Sequence, residues 1–179
     1  MSHTPHLTIR AVTPGDVPEL LRMVHELAVY EKLDHCVTAT ESDYQTALFG
    51  PGHHASAALA EHDGAPVGYM VWFRTFSTFK ARSKLYLEDV YVRPEHRGFG
   101  TGTAMLAWLA RLCLAEGLPR LHWQVLDWNE PSIEFYRRLG ASVTSQWLDC
   151  TLDDEALTAL AARGRESDLA PPPASDGGP

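Results

Sequence analysis

The chain has 179 residues, of which 45% are hydrophobic and 21% charged, with a formal net charge of −8. This length suits one ordinary domain, and the composition is that of a globular protein rather than a disordered chain or a fibre. No apolar run is long enough for a bilayer, and residues 1–7 lack the layout of a secretory signal, so no membrane association is predicted. The acidic balance predicts no nucleic-acid partner and suits a cationic small molecule better.

Thiols and histidines give no sign of a metal site. The three cysteines are Cys36, Cys113 and Cys150. Their odd number and wide spacing favour free thiols in a reducing, cytoplasmic setting. Neither the pair His53-His54 nor the run Asp34-His35-Cys36 has the spacing of a metal centre, so no metal is predicted.

The first half of the chain predicts a strand, two helices and three further strands. Apolar residues alternate over 7–11, and Thr13-Pro14 with Asp16 then has the pattern that opens a helix. A second helix is predicted over 41–48. Three strands follow, the first two of them joined by a turn at 62–66, and their predicted ranges are 55–60, 67–73 and 85–92.

The second half predicts alternating helices and strands and then a tail. The predicted elements are a helix over 103–116, a strand over 121–126, a short helix capped by Asn129, one or two strands within 143–152 and a last helix over 153–162. Residues 164–179 are rich in Pro and Gly and are predicted to be a disordered tail after a single domain over 1–163. The order β-α-α-β-β-β-α-β-α-β predicts an α/β fold. Its mixed, mostly antiparallel central sheet would be flanked by helices on both faces.

A glycine-rich loop lies between a predicted strand and a predicted helix. Its sequence runs from Arg97 to Gly102 (RGFGTG). Glycines let the backbone approach a ligand closely, and the free N–H groups of a helix start favour an anion such as a diphosphate. A turn without a ligand is the alternative, but the strand-loop-helix context favours the ligand. The loop lacks the Lys-Ser/Thr of a Walker motif and the full G-x-G-x-x-G of a dinucleotide site.

Three segments together resemble one family. They are Leu85 to Val92 (LYLEDVYV), Arg97 to Gly102 and Asn129 to Tyr136 (NEPSIEFY). They resemble the GNAT superfamily of acetyl-CoA-dependent N-acetyltransferases. Within it the chain looks like the diamine (spermidine/spermine) N-acetyltransferase branch, which includes a thialysine-acetylating relative. The resemblance extends over about 7–157 and includes residues 26–31 and Trp147.

The resemblance implies a set of site residues and acetyl-CoA as co-substrate. The implied cofactor-binding residues are Val90, Tyr91, Val92, Arg97, Gly98, Phe99, Gly100, Thr101, Gly102, Thr103, Asn129, Pro131 and Ser132. The implied substrate contacts are Tyr30, Glu31, Asp89, His122, Trp123, Gln124 and Trp147. Glu88 would accept the proton of the attacking ammonium, and Tyr136 would protonate the departing thiolate. A homodimer is also implied.

Each assignment has a structural alternative. Trp123 and Trp147 are equally compatible with core packing. Tyr136 could also belong to the core, and Glu88 and Asp89 could be solvated or paired charges, but the resemblance favours the functional interpretation for these three residues. Because neighbouring residues of a strand point to opposite faces, only one of Glu88 and Asp89 is expected to face the reacting centre. The resemblance favours Glu88.

Residues 75–84 depart from the pattern of the polyamine enzymes. This stretch is basic and has no carboxylate, which argues against long polyamines and favours a shorter amine or a lysine-like amino acid. The expected function is transfer of an acetyl group to a primary amine of a small molecule (a diamine, polyamine or lysine-like amino acid) by direct attack. The alternatives are acetylation of a protein or peptide amine and a non-catalytic acyl-CoA-binding module.

Overall fold

The computed structural model describes residues 6–163 of the chain. The chain divides into two units, one extending to Gln124 and the other beginning at Val125. The interpretation of residues 1–163 as one domain stays a prediction, and the predicted disordered tail lies outside the described residues. Within 6–163, no helix is both long and apolar enough to cross a membrane.

Helices and strands follow the predicted order through the first unit. Its elements are β1 (Leu7–Ala11), α1 (Val17–Glu31), α2 (Glu41–Phe49), β2 (Ser56–His62), β3 (Ala65–Ser77), β4 (Arg82–Val92), α3 (Thr101–Ala115) and β5 (Leu121–His122). Short 3-10 turns occur at Pro14–Asp16, Asp34–Cys36 and Pro94–His96. The second unit contains α4 (Glu130–Arg138) and α5 (Asp154–Ala161).

The sheet of the first unit has its five strands in chain order, β1 to β5. The first three pairings are antiparallel, and β5 lies parallel to β4. Antiparallel neighbours need only short turns, whereas the parallel pair requires a crossover, which α3 supplies. The prediction of a mixed, mostly antiparallel sheet is confirmed.

Helices cover both faces of this sheet. On one face, Leu20 and Met23 of α1 share a buried cluster with Leu59 and Tyr69 of the sheet. On the other face, the Trp72 ring of β3 contacts Trp108 of α3 at 5.4 Å between centroids. Because Tyr69 and Trp72 differ by an odd number of residues on one strand, they belong to opposite faces.

Arg93 fixes α1 against the end of β4. Its Nη2 atom lies 2.9 Å from a carboxylate oxygen of Glu19 and 2.7 Å from one of Glu26, both on α1. Its Nη1 atom donates to the carbonyl of Pro66 at 2.9 Å. The hydrogen bond from Arg93 lowers the pKa of Glu26 and keeps that carboxylate charged. These bonds tie two turns of α1, at Glu19 and at Glu26, to the end of β4.

Two predicted strands are wrong in extent. The strand predicted over 121–126 is limited to Leu121–His122, which pairs with Leu85 and Tyr86. Residues 143–152 form no strand in the structure, and all of them are exposed. Alternating apolar residues indicate a surface suited to a sheet, but a strand also needs a neighbour to bond its backbone.

Candidate active site

The loop between β4 and α3 has the geometry of an anion site. Gly98 and Gly100 have φ angles of 83° and 85°, a left-handed conformation that favours glycine. The N–H of Ala104 bonds to the carbonyl of Gly100 at 2.9 Å, so the N–H groups of the preceding turn have no acceptor within the helix. A Cβ built on Gly98 or Gly100 meets no atom within 4 Å. The open space beside these glycines and the N–H groups without a helical acceptor fit the diphosphate that the sequence predicts.

Arg97 stands at the rim of this loop between two aromatic rings. Its Nε atom donates to the carbonyl of Val92 at 2.8 Å. Its guanidinium carbon lies 5.2 Å from the Tyr30 ring centroid and 5.7 Å from that of Tyr91. Both rings therefore orient the cation at the loop. Tyr30, predicted as a substrate contact, is packed against a residue predicted to bind the cofactor.

The edge of β4 that follows Tyr86 is open. β5 pairs with β4 only at Leu85 and Tyr86, and no other described strand bonds to that edge from Leu87 to Val92. The opposite edge is held tightly by β3, because a Cβ on Gly68 would overlap the carbonyl of Tyr91. Residues 90–92, which are predicted to bind the cofactor arm, are thus bonded to β3 on one edge. On the other edge their backbone N–H and C=O groups are available to a ligand.

A bulge in β4 changes the directions of the two acidic residues. Val71 of β3 pairs with Asp89 and Trp72 pairs with Leu87, so Glu88 is an extra residue opposite β3. A bulge interrupts strict alternation. Glu88 and Asp89 line the same cavity, so the expected strict alternation of these two neighbours is wrong. Which of them faces the reacting centre stays a prediction.

This acidic cavity has a volume of about 350 Å³. Its polar lining includes the carboxyl-bearing residues Glu31, Glu88 and Asp89 and the hydroxyl-bearing Tyr69, and none of its described lining residues is basic. The remaining lining residues are Val24, Leu27, Ala28, Leu33, Cys36 and Val37. An apolar wall with a concentration of negative charge suits an alkylammonium.

The carboxyl groups of the acidic cavity are electrostatically coupled. Burial, together with the negative charges of Glu88 and Glu31, raises the pKa of Asp89 to about 6, although a hydrogen bond from Tyr69 opposes the shift. That bond runs from the Tyr69 hydroxyl to Oδ2 of Asp89 over 3.2 Å. Burial also raises the pKa of Glu31. Perturbed acids facing a cavity are typical of binding and catalytic sites.

The other predicted substrate contacts of the first unit lie elsewhere. His122 packs its ring on Tyr86 at 5.4 Å between centroids, and Gln124 accepts a hydrogen bond from the Tyr86 hydroxyl at 3.0 Å. Burial and the nearby Lys84 and Arg120 lower the pKa of His122. Neither these residues nor Trp123 belongs to the described lining of the acidic cavity.

The basic stretch also lies away from the acidic cavity. Arg82 pairs with Ser77 at the start of β4, and Lys84 pairs with Thr75. At roughly 3.3 Å per residue, Lys84 is roughly 17 Å along the strand from Asp89. This stretch therefore supplies no charge to the lining of the acidic cavity.

The second unit carries the remaining predicted residues on and around α4. Asn129 is buried and caps α4, with its Oδ1 atom accepting from the N–H of Ser132 at 3.4 Å. Pro131 occupies the first turn, and Tyr136 is a buried residue of the same helix. Trp147 is 88% exposed. The cap gives Asn129 a structural role, and the functional roles of these residues stay predictions.

Seven lining residues of the acidic cavity were not predicted, and among them Tyr69 and Cys36 carry a hydroxyl and a thiol. Tyr69 comes beside Asp89 because Tyr69 pairs with Tyr91, and Val71 with Asp89, which makes Tyr69 and Asp89 diagonal neighbours. The register between β3 and β4 would have identified Tyr69, but the alternation of residues within one strand does not show which residues pair across two strands. Cys36 enters through the 3-10 turn after α1, for which the sequence has no marked signal.

The comparisons identify the fold as that of an acetyltransferase. Residues 22–141 match the acetyltransferase (GNAT) family, and the chain belongs to this family. The predicted family and N-acetyltransferase activity are confirmed. The family implies acetyl-CoA as co-substrate, and the open glycine loop fits its diphosphate.

Known relatives are similar over most of the chain. The chain is 36% identical to a thialysine N-epsilon-acetyltransferase of Bos taurus over 166 residues, covering 87% of this chain and 97% of that protein. It is 29% identical to an L-ornithine N5-acetyltransferase of Arabidopsis thaliana, covering 88% and 89% of the two chains. An integron cassette protein of V. cholerae shares the fold, with a TM-score of 0.72 and 22% identity over 89% of this chain and 99% of that one.

Proposed function

We propose that this enzyme acetylates a primary amine of a small molecule that carries a second cationic group, such as a diamine, a polyamine or a lysine-like amino acid. The acidic cavity is the observation that carries this proposal. Its carboxyl-bearing residues Glu31, Glu88 and Asp89 face a space of about 350 Å³, which suits a short alkylamine. The relatives named above act on thialysine and L-ornithine, two small amino acids.

In this proposal the carboxylates of Asp89 and Glu31 bind the positively charged group of the substrate. Both are partly buried, and the burial that raises their pKa values reflects the cost of a buried negative charge without a cation. An ammonium group supplies the missing partner and favours the ionised carboxylates. The apolar residues of α1 line the methylene chain of the substrate.

Glu88 accepts the proton that the attacking nitrogen must lose. An alkylammonium has a pKa of about 10.4, so at neutral pH the nitrogen needs a base before it can attack. Glu88 is exposed at the bulge and lines the acidic cavity, which gives it access to the amine directly or through one water.

Acetyl-CoA, when bound, supplies the thioester whose acyl carbon the nitrogen attacks. The N–H groups of residues 98–103 bind its diphosphate, and Arg97 adds a positive charge. The open edge of β4 at Val90, Tyr91 and Val92 bonds the cofactor arm. Glu88 passes the ammonium proton on to solvent before the attack. As the new C–N bond forms and the C–S bond breaks, the second nitrogen proton would go to Glu88, and the departing sulfur would receive a proton from Tyr136, which solvent then restores. The family resemblance supports the role of Tyr136 and the cofactor contacts of Asn129, Pro131 and Ser132.

We also propose that the enzyme is a homodimer in the cytoplasm. The family resemblance supports the dimer, and the spacing of the cysteines supports a reducing compartment. Light scattering coupled to size-exclusion chromatography measures the mass of the assembly, and a monomer at micromolar concentration would contradict the dimer.

An amine panel tests the proposed function. The purified chain is mixed with acetyl-CoA and putrescine, spermidine, thialysine, lysine or a lysine-bearing peptide, and release of free CoA is followed. Turnover of at least one small amine, well above that of the peptide, is expected. Preference for the peptide would favour the protein-acetylating alternative, and CoA binding without turnover would favour the non-catalytic module.

A further inference from the structure

A chain of hydrogen bonds lies beneath the start of α3. His62, the last residue of β2, is 7% exposed. Its Nδ1 atom is 3.2 Å from Nδ1 of His96, and its Nε2 atom is 3.1 Å from Oγ1 of Thr101. The two imidazole rings meet edge to face, with 5.2 Å between centroids. Both ring nitrogens of His62 are therefore in use.

The hydrogen bonds from His96 through His62 to Thr101 allow two arrangements of donors and acceptors. Between the two Nδ1 atoms, one must carry the proton and the other must accept it. When His62 donates to His96, its bare Nε2 atom accepts from the Thr101 hydroxyl. When His96 donates instead, the Nε2–H of His62 donates to Thr101. In both arrangements the Thr101 hydroxyl is bonded, because a hydroxyl both donates and accepts.

Thr101 is the anchor of the glycine loop. Within residues 97–102, all of which the structure describes, it is the one buried residue, with 1% exposure. Its neighbours Gly100 and Gly102 have no side chains to restrain the backbone, and Phe99 is 70% exposed. The hydrogen bond between Thr101 and His62 therefore ties the most conformationally free part of the loop to the sheet.

We infer that His62 is a positioning residue for cofactor binding. It lies below the loop, and through Thr101 it fixes the N–H groups that bind the diphosphate of acetyl-CoA. This inference rests on the proposed function of the loop. It predicts that loss of the His62–Thr101 bond weakens cofactor binding and leaves the chemical step nearly unchanged.

Two substitutions distinguish the contribution of Nδ1 of His62 from that of Nε2. The amide of His62→Gln reaches the place of Nε2 and keeps a partner for Thr101. The amide of His62→Asn reaches the place of Nδ1 and keeps a partner for His96 alone. A buried hydroxyl left without a partner costs enough to weaken binding about tenfold. A matched control is His54→Asn, because His54 is exposed and takes no part in the His96–His62–Thr101 hydrogen bonds.

Calorimetric titration with CoA and steady-state kinetics test the inference. His62→Asn is expected to raise the Kd for CoA and the KM for acetyl-CoA about tenfold, with kcat within about twofold of wild type. His62→Gln is expected to restore most of the affinity. Thr101→Val should raise the Kd for CoA as much as His62→Asn does. The double variant should raise this Kd no further than either single variant.

Different results would overturn the positioning role of His62 and the proposed function of the enzyme. If His62→Asn and Thr101→Val, both folded by thermal melting, bind CoA as tightly as wild type, the positioning role is wrong. Equal losses in His62→Asn and His62→Gln would also overturn it, because His62 would then matter only for packing. A wild-type chain that does not bind CoA would instead overturn the proposed function, and this inference with it.

Discussion

The hydroxyl of Tyr69 donates a hydrogen bond to Asp89 across the β3–β4 pair, over 3.2 Å. This bond joins a buried tyrosine to a carboxyl group whose pKa burial raises to about 6. Tyr69 is itself difficult to ionise, since burial raises its pKa well above the ordinary value. Asp89 is thus held in place by a neutral donor and has no cation of its own in the described lining, which leaves its charge for a ligand.

Removing the charge of Asp89 is expected to stabilise the fold and to weaken amine binding. The folded pKa of about 6 exceeds the ordinary 3.8, so the ionised group opposes folding above pH 6, and the effect vanishes as the pH falls below 3.8. Asp89→Asn keeps an acceptor for Tyr69. Urea unfolding at about pH 8 should show a gain of roughly 2 kcal/mol, and the gain should shrink toward about pH 4.

The same variant should raise the KM for the amine while leaving the KM for acetyl-CoA nearly unchanged. Asp127→Asn, at an exposed carboxylate, is the control and should change neither stability nor the amine KM. A loss of stability in Asp89→Asn at about pH 8 would show that its charge already has a partner in the free protein.

Glu88→Gln is expected to lower kcat by about a hundredfold or more, because loss of a general base typically costs that much. The glutamine keeps the size of the side chain, so CoA affinity should remain near that of wild type. Raising the pH should restore part of the rate, since free amine becomes more abundant. Glu134→Gln, on the exposed surface of α4, is the control. An unchanged kcat would remove Glu88 from the proton path.

Tyr136→Phe is expected to lower kcat mainly, with CoA binding nearly intact. The variant removes one hydroxyl from a buried ring and keeps the packing of α4. If the phenol protonates the departing sulfur, the loss should be about a hundredfold or more, within the range for a general acid. Stopped reactions at saturating acetyl-CoA measure kcat. A variant as fast as the wild type would assign Tyr136 to the core alone.

Gly100→Val is expected to abolish CoA binding. Gly100 has a φ of 85° with open space around its missing Cβ, so a valine strains the backbone and occupies the diphosphate space. Gly117→Val is a matched control, because Gly117 follows α3 with a φ of 64° and similarly open surroundings. Both variants should lose similar stability, and only Gly100→Val should lose affinity. Full affinity in Gly100→Val would mean that the diphosphate binds elsewhere.

Local signals in the sequence predicted local structure well. Asp63 and Gly64 have φ angles of 49° and 83°, the paired positive values that an Asp-Gly hairpin turn adopts. Thr13 and Asp16 form the predicted start of the first helix, with both the N–H and the hydroxyl of Thr13 donating to Asp16 at 2.7 Å. In each case the residues that determine the structure are adjacent in the chain.

Features that depend on the register between two paired strands were not predicted. The bulge at Glu88 exists only in relation to β3, so the alternation of one strand wrongly separated Glu88 from Asp89. Tyr69 was missed for the same reason. The strands predicted within 143–152 are absent, because a strand also needs a neighbouring strand to bond its backbone, which local sequence does not specify.

The central claim is that the acidic cavity binds a substrate with a second cationic group. The most direct test compares cadaverine with pentylamine, two amines of equal chain length of which only cadaverine has the second amine. Initial rates of CoA release at saturating acetyl-CoA give kcat/KM for each. The account predicts that wild type prefers cadaverine by about tenfold or more and that Asp89→Asn loses most of this preference. Equal values for the two amines in wild type would contradict it.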